Sequence, residues 1–349
     1  MNFYIPDYWA ALTSQYSELV TGRITLQEKG MYRIFTSTGE QNALVSGKFQ
    51  FDAQSVSDYP AVGDYVLVSR ADPDTAIIHH VLPRKSLFLR KAAGTSQTEQ
   101  VVAANIDTVF LCMSLNNDFN LRRLERYLAA AWESKADPVV LLTKADLCED
   151  VVRKQAEAES IAMGVTVLTA SAADADGYQQ LMPYITVGKT VAFVGSSGVG
   201  KSTLINRLLG EDRLATDGLR NNDKGRHTTH RELLILPNGA MVIDTPGMRE
   251  LGMWDAASGV EQTFADMEAL AARCRFRNCS HTSEPGCAIR DALQRGELDS
   301  RRWQSYQKLK SETSYAADSE SYLAAKERKF KEISKINKSK ESLIKSALP

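Results

Sequence analysis

The sequence predicts a multidomain α/β protein in three parts, and three shifts of pattern along the chain predict it. Short β-rich runs fill Leu19 to Leu89, apolar strands alternate with helical periodicity from Asp107 to about Trp254, and from Thr263 onward the pattern is helical apart from a group of cysteines. Strand and helix alternating through the middle of a chain imply a mostly parallel sheet covered by helices. The boundaries expected from these shifts are 1–95, 96–255 and 256–349.

The front part reads as "GRITL", "MYRIF", "ALVSGKF", "DYVLVSR" and "AIIHHVL", separated by Gly, Asp and Pro turn signals. That spacing predicts a small antiparallel barrel or sandwich. In "AIIHHVL", strand alternation sends one of His79 and His80 inward and the other outward, so neither is assigned a site role.

The middle part carries the chemistry. The apolar run Val191 to Val194 leads into Gly195, Ser196, Ser197, Gly198, Val199, Gly200, Lys201, Ser202 and Thr203, which has the G-x-x-x-x-G-K-[ST] spacing of a phosphate-binding loop and is followed by a helical pattern. Backbone N–H groups from Ser197 to Ser202 are suited to the β-phosphate, Lys201 to the β- and γ-phosphates, and the Ser202 hydroxyl to Mg²⁺. "VIDTPG" ends a strand in Asp244, a second Mg²⁺-directed carboxylate, and Gly247 can offer its N–H to the γ-phosphate. Between them "RNNDKGRHTTH" can bring a threonine hydroxyl to the metal, Thr229 first and Thr228 next.

Choice of base rests on "TKAD". An Asp146 carboxylate after an apolar strand can accept from guanine N1–H and N2–H₂ together, which adenine does not offer, and the Lys144 stem can lie over the ring. Thr143 stands where asparagine is usual and keeps a hydroxyl for local bonding. "TASA" follows the next strand, and Ser171 and Ala172 can present N–H groups to guanine O6. A glutamine that orients the attacking water in many GTPases has no counterpart here, since Met248 follows Gly247. His227, beside the threonines, has the chemistry to take that role.

The helical part holds Cys274-x₄-Cys279-x-His281-x₅-Cys287. Three thiolates and an imidazole suit one tetrahedral Zn²⁺ with no open position, hence a structural site. Around them Arg273, Arg275 and Arg277 interleave with Phe276, a pattern fit for RNA phosphate contact and base stacking and equally for a solvated basic face. The same two readings apply to Lys326–Lys345, with eight Lys/Arg against three Glu. Cys112 and Cys148 lie in apolar runs and are expected in the core; Trp132, Trp254 and Trp303 are expected to pack.

Composition frames these motifs. At 349 residues, 43% hydrophobic and 24% charged, the chain can bury a core, and it has no apolar run of membrane-spanning length. "MNFYIPDYWAAL" lacks the basic start and apolar core of a signal peptide, so no membrane partner and a cytoplasmic setting are expected. A net charge of −1 leaves any nucleic-acid binding to local patches.

Both halves of a guanine-nucleotide site are thus present in an order that places base reading before phosphate binding. The chain resembles a circularly permuted GTPase. Through "GRHTTHREL", "DTPGMREL" and "FNLRRLERYL", with the β-rich front and the Cys/His tail, it is similar to the RsgA (YjeQ/YloQ-like) family of small-ribosomal-subunit biogenesis GTPases over nearly its whole length. The resemblance implies an OB-fold front, a permuted P-loop GTPase domain and a zinc-bearing helical tail. It implies Mg²⁺-dependent GTP hydrolysis by a monomer, stimulated by the small (30S) ribosomal subunit and coupled to release, with rRNA, GTP and GDP as partners. It also places His227 in the family's "HTT" pattern. Two other function classes stay open on the residues alone: an RNA-binding module that binds GTP without stimulated turnover, and a P-loop phosphotransferase, which leaves "TKAD" and "TASA" without purpose.

Overall fold

Five strands form the front part: β1 (Val20–Glu28), β2 (Met31–Thr36), β3 (Gly39–Val45), β4 (Tyr65–Arg70) and β5 (Thr75–Val81). β1 pairs antiparallel with both β2 and β4, β2 with β3, and β4 with β5, while β3 and β5 run parallel. The ladder therefore closes on itself as a five-stranded, OB-like barrel, and closure removes the exposed edges that an open sheet would carry. Ile24, Ile34, Ala43, Val66 and Ile78 fill it.

Two local features differ from the sequence expectation. The run "ALVSGKF" does not stay extended: β3 ends at Val45, and the Ser46 hydroxyl accepts from Phe49 N–H at 3.0 Å, capping a helix Gly47–Asp52. A serine cap overrides weak alternation. At the two histidines a register shift between the Leu67 and Val68 pairs puts a bulge in β5, so simple alternation fails. His79 is half-buried against the Ser69 hydroxyl, and His80 is exposed beside the Tyr16 ring. Trp9, which the sequence did not single out, is buried against Tyr65, with its indole N–H on the Pro83 carbonyl.

The computed structural model describes residue 9 and residues 12–28, 30–72, 74–91, 99–116, 118–171, 174, 176–214, 232–244 and 257–314. These fall into two compact units, Met1–Gly252 with Ser258–Ala269, and Met253–Ala257 with Leu270–Pro349.

In the first unit a hairpin of β6 (Leu87–Lys91) and β7 (Glu99–Ala104) leads from the barrel into β8 (Thr108–Ser114), β9 (Asp137–Thr143), β10 (Thr166–Thr169), β11 (Thr190–Val194), β12 (Glu232–Ile235) and β13 (Met241–Asp244). Their order is β10-β9-β8-β11-β13-β12, parallel except for β12 at the edge, which also meets β1 through Leu26 and Glu232. β8 and β11 are buried along their whole length, which is why they read as unbroken apolar runs. A buried Arg23 on β1 fastens barrel to sheet, bonding the Tyr65 hydroxyl, the Asn105 carbonyl at 3.2 Å and the Thr190 hydroxyl at 2.8 Å.

Helix Leu121–Ser134 is capped by Asn120 and buries Leu124, Tyr127, Leu128 and Ala131, leaving Trp132 half-buried. At its far end the Glu133 carboxylate accepts from the Ser258 hydroxyl (2.8 Å) and from Gly259 N–H (3.0 Å). This contact holds the start of helix Ala257–Thr263, so residues 258–269 pack with the first unit. Among the described residues no helix is long and apolar enough to cross a membrane.

The second unit, taken by itself, contains the Cys/His loop, helix Ala288–Arg295 and helical residues 300–314, with Ile289, Ala292, Trp303, Tyr306 and Leu309 buried.

Gly259 packs closely against helix Leu121–Ser134, since a Cβ there would lie 2.0 Å from the Ala129 carbonyl oxygen. Gly259→Ala is expected to lower unfolding stability by roughly 2 kcal/mol, the usual scale of overpacking against backbone that has no room to move. Urea denaturation followed by circular dichroism measures it.

Candidate active site and metal cluster

Parallel strands deliver their C-terminal ends to one edge of the sheet, where open α/β folds bind ligands. The register puts Ser114 level with Thr143, Leu142 level with Thr169, Val194 level with Leu111, and Ile243 level with Ala192. The phosphate loop after β11, "TKAD" after β9, "TASA" after β10 and Asp244 at the end of β13 therefore all emerge on that edge. β11 sits between β13 and β8, and the strand order reverses there, the kind of point at which open α/β sheets bind ligands.

The loop's shape follows from its glycines. Gly195 approaches β8 so closely that a Cβ would stand 2.4 Å from the Cys112 carbonyl oxygen, and Gly200 takes the left-handed conformation (φ +99°) at the N-terminus of helix Lys201–Leu209. Lys201 Nζ donates to the carbonyls of Gly195 (2.7 Å) and Ser196 (2.6 Å), so its ammonium lies across the loop. Val199 is buried, Ser197 and Gly198 are exposed, and Ser202 and Thr203 occupy the first turn of the helix. A glycine-rich loop running into a helix N-terminus, with a lysine lying across it, is the arrangement that cradles phosphate.

The base-reading segment is tied to that loop. Thr143, buried at the end of β9, donates its hydroxyl to the Val199 carbonyl at 2.6 Å, which gives the departure from asparagine a structural use. Lys144 is left-handed (φ +57°), opening a short 3₁₀ turn that presents an exposed Asp146. The Ser171 hydroxyl donates to Asp146 Oδ1 at 2.8 Å and orients the carboxylate. Gly177 lies against Ser171 so closely that a Cβ would meet its carbonyl oxygen at 2.0 Å.

Sequence reasoning missed two residues on helix Leu121–Ser134. Arg123 Nη1 lies 2.5 Å from the Ser196 hydroxyl, and Tyr127 also hydrogen-bonds Ser196. Burial raises the Tyr127 phenol above its ordinary value, with the Ser196 bond opposing. The only sequence signal was their place on one helical face in "RRLERY".

In the second unit, one ligand atom from each of Cys274, Cys279, His281 and Cys287 lies within 4.8 Å of all the others. His281 Nδ1 is 3.5 Å from the sulfurs of Cys274 and Cys287, and those sulfurs are 4.0 Å apart. A tetrahedron with Zn–S and Zn–N bonds of about 2.3 and 2.05 Å has edges of about 3.5 to 3.8 Å, so the donor set fits that ion. Cys287 caps helix Ala288–Arg295. Burial alone would raise the Cys274 thiol, yet N–H donors of Ala288 and Ile289 outweigh it and bring it below its ordinary value, favouring the thiolate that a metal requires. Burial pushes the Cys279 thiol up to about 11.

Neighbouring groups hold the loop. Glu284 accepts from Ser280 N–H and hydroxyl and from the N–H groups of Thr282 and Ser283, and hydrogen bonding, that of Ser280 first, takes its carboxyl down to about 2. His281 is left-handed (φ +60°), and Trp303 packs edge-on to its ring at 5.5 Å. Arg273, Arg275 and Arg277 are exposed, with Arg275 5.5 Å over the Phe276 ring.

Comparison with known proteins decides the family. The model described as RsgA GTPase matches residues 81–254. A curated relative from Lactiplantibacillus plantarum, named Small ribosomal subunit biogenesis GTPase RsgA 2, is 52% identical over 88% of this chain and 86% of its own length. The chain belongs to the RsgA GTPase family. It is a GTP-hydrolysing enzyme. A second relative, Small ribosomal subunit biogenesis GTPase RsgA from Opitutus terrae, is 47% identical over 89% of each chain. Among solved structures, YjeQ from Thermotoga maritima matches 84% of this chain and 98% of its own at a TM-score of 0.62 and 27% identity. YloQ, described as a circularly permuted GTPase, matches 85% and 95% at 0.60 and 25%. The closed barrel, the permuted order of the RsgA site elements and the Cys/His cluster agree with that membership.

Several expected residues lie outside the described ones: Ala172, His227, Thr228, Thr229, Gly247, Met248, Trp254 and the stretch Lys326–Lys345. Of the remaining expectations, Cys112 is buried, whereas Cys148 is half-buried at the margin of the core.

Because the four ligands organise a small loop, metal removal is expected to cost the second unit its structure. Cys274→Ser, or chelation of the purified protein, should reduce bound metal from about one to well below one per chain, read by elemental analysis, with loss of near-ultraviolet dichroism from Trp303.

Proposed function

We propose that this chain is a Mg²⁺-dependent GTPase acting as a late assembly factor of the small (30S) ribosomal subunit, stimulated by the subunit and released on hydrolysis. The observation that carries the nucleotide part is the Thr143–Val199 bond, which holds the guanine-directed Asp146 and the phosphate loop in one frame. The ribosomal part rests on the names of the curated relatives.

In this reading Asp146 accepts from guanine N1–H and N2–H₂, Lys144 covers the ring, and Ser171 and Ala172 meet O6. Gly195, Ser196, Ser197, Gly198, Val199, Gly200, Lys201, Ser202, Thr203 and Gly247 receive the phosphates. Ser202, Thr229 and Asp244 hold Mg²⁺, which when bound neutralises charge between the β- and γ-phosphate oxygens. His227 orients the attacking water, as Met248 cannot. Cys274, Cys279, His281 and Cys287 hold one structural Zn²⁺, and exposed Arg273, Arg275 and Arg277 with Phe276 contact rRNA. The protein works as a cytoplasmic monomer built of domains 1–95, 96–255 and 256–349.

Two mutants test the proposal. Asp146→Asn should weaken GTP binding by about tenfold or more and improve binding of xanthosine triphosphate, whose ring offers an oxygen where guanine offers an amino group; unchanged preference in a competition titration removes the base assignment. His227→Ala should keep GTP affinity nearly intact while removing on the order of 10²-fold of the subunit-stimulated rate. Equal stimulated phosphate release by mutant and wild type discards His227. Absence of any stimulation in the wild type discards the ribosomal reading.

A further inference from the structure

Ser196 is held from two sides. Its carbonyl takes the Lys201 ammonium, and its side chain meets two groups, Arg123 and Tyr127, from a helix that lies earlier in the chain. The Arg123 guanidinium does this with its fork: Nη1 reaches Ser196 Oγ at 2.5 Å and Asp118 Oδ1 at 2.9 Å, while Nη2 donates to the Asp118 carbonyl at 2.6 Å.

The support behind that fork is itself bonded to the sheet. Asn116 Oδ1 accepts from the Ser114 hydroxyl at the end of β8 (2.7 Å) and from Asp118 N–H (3.2 Å), and Asn120 Oδ1 accepts from Arg123 N–H (3.1 Å). Arg123 is therefore placed by an Asn-Asp-Asn framework, not by its own torsions. A planar guanidinium suits such bridging, because its donors diverge in a fixed geometry that one ammonium cannot reproduce.

We propose that Arg123 is a positioning residue for the nucleotide: through Ser196 it locks the first turn of the phosphate loop in its binding shape before GTP or GDP arrives. Catalysis of phosphoryl transfer is mostly positioning and electrostatics, and a loop ordered in advance leaves less disorder to remove on binding. The lock acts on the loop before the γ-phosphate is reached, so it favours GDP and GTP alike. The proposal rests on the GTPase activity and adds a residue outside the motifs that define it.

The test uses the full chain, a fluorescent GDP and a slowly hydrolysed GTP analogue. Arg123→Ala should dissociate both nucleotides about tenfold faster, and in turnover KM should rise by more than kcat falls, as expected where binding common to ground and transition states is lost. Ser196→Ala, which removes one oxygen and carries the test should Arg123→Ala fail to fold, should reproduce the change. The double mutant should be no worse than Ser196→Ala alone, since the contact that Arg123→Ala removes is already lost there. Arg123→Lys should restore only part of the affinity. Unchanged dissociation in both single mutants, full additivity in the double mutant, or complete rescue by lysine would each overturn the lock. A lowered thermal midpoint with unaltered nucleotide kinetics would show Arg123 to be merely structural. Wild-type protein that binds no guanine nucleotide would overturn the GTPase reading itself.

Discussion

The buried hydrogen bond from the Thr143 hydroxyl to the Val199 carbonyl joins the two halves of the site, and the rest of the arrangement serves it. Its donor closes one strand and its acceptor lies in a loop 56 residues later, so it forms only when β9 and β11 end on the same edge. β8 makes that happen by lying between them and pairing with both in parallel. An asparagine is not needed for this tie, because a hydroxyl suffices to donate to one carbonyl.

The barrel is joined to this scaffold by buried polar groups, whose desolvation their hydrogen bonds offset. Arg23 satisfies two nitrogens on Tyr65, Asn105 and Thr190, and Thr190 is the first residue of the strand that leads into the phosphate loop. A second buried pair braces the barrel's own turn. Arg84 forks onto both oxygens of Asp64, at 2.8 and 2.7 Å, and onto the Ser57 and Tyr59 carbonyls. Burial pushes the Asp64 carboxyl up, and Arg84 with the Ala61 N–H works against that push. The same Asp64 region reaches Asn105, whose amide donates to the Gly63 carbonyl at 3.0 Å. Buried charge thus runs along the barrel-to-sheet seam, where apolar contact alone would leave register weakly specified.

Much of this was legible in the sequence, for reasons that differ by element. The phosphate loop was legible because its glycines are dictated by geometry: Gly195 and Gly200 meet a steric and a torsional demand that few other residues meet. The central strands were legible because two-sided burial writes them as continuous apolar runs, and the Cys/His cluster because its four residues fall within fourteen positions. Barrel against sandwich was not decidable, since closure depends on β1 pairing with β4, a contact across more than forty residues that local pattern does not encode. The helix at Gly47–Asp52 was hidden by a serine that reads as a strand residue until its cap bond forms. Arg123 was hidden because nothing in "NLRRLERYL" separates an arginine facing a loop from one facing water.

The permuted order has a mechanical result at Glu133. In this arrangement the segment that follows "DTPG" continues along the chain into helix Ala257–Thr263, and that helix is seized at its start by the Glu133 carboxylate through Ser258 and Gly259. Glu133 closes the same helix whose opening turns carry Arg123 and Tyr127 onto Ser196. One helix of fourteen residues therefore touches the phosphate loop near one end and the re-entry point of the chain near the other. A helix is stiff along its axis because its hydrogen bonds run parallel to it. Within the first unit, the start of helix Ala257–Thr263 is thus held at a point fixed relative to the phosphate loop.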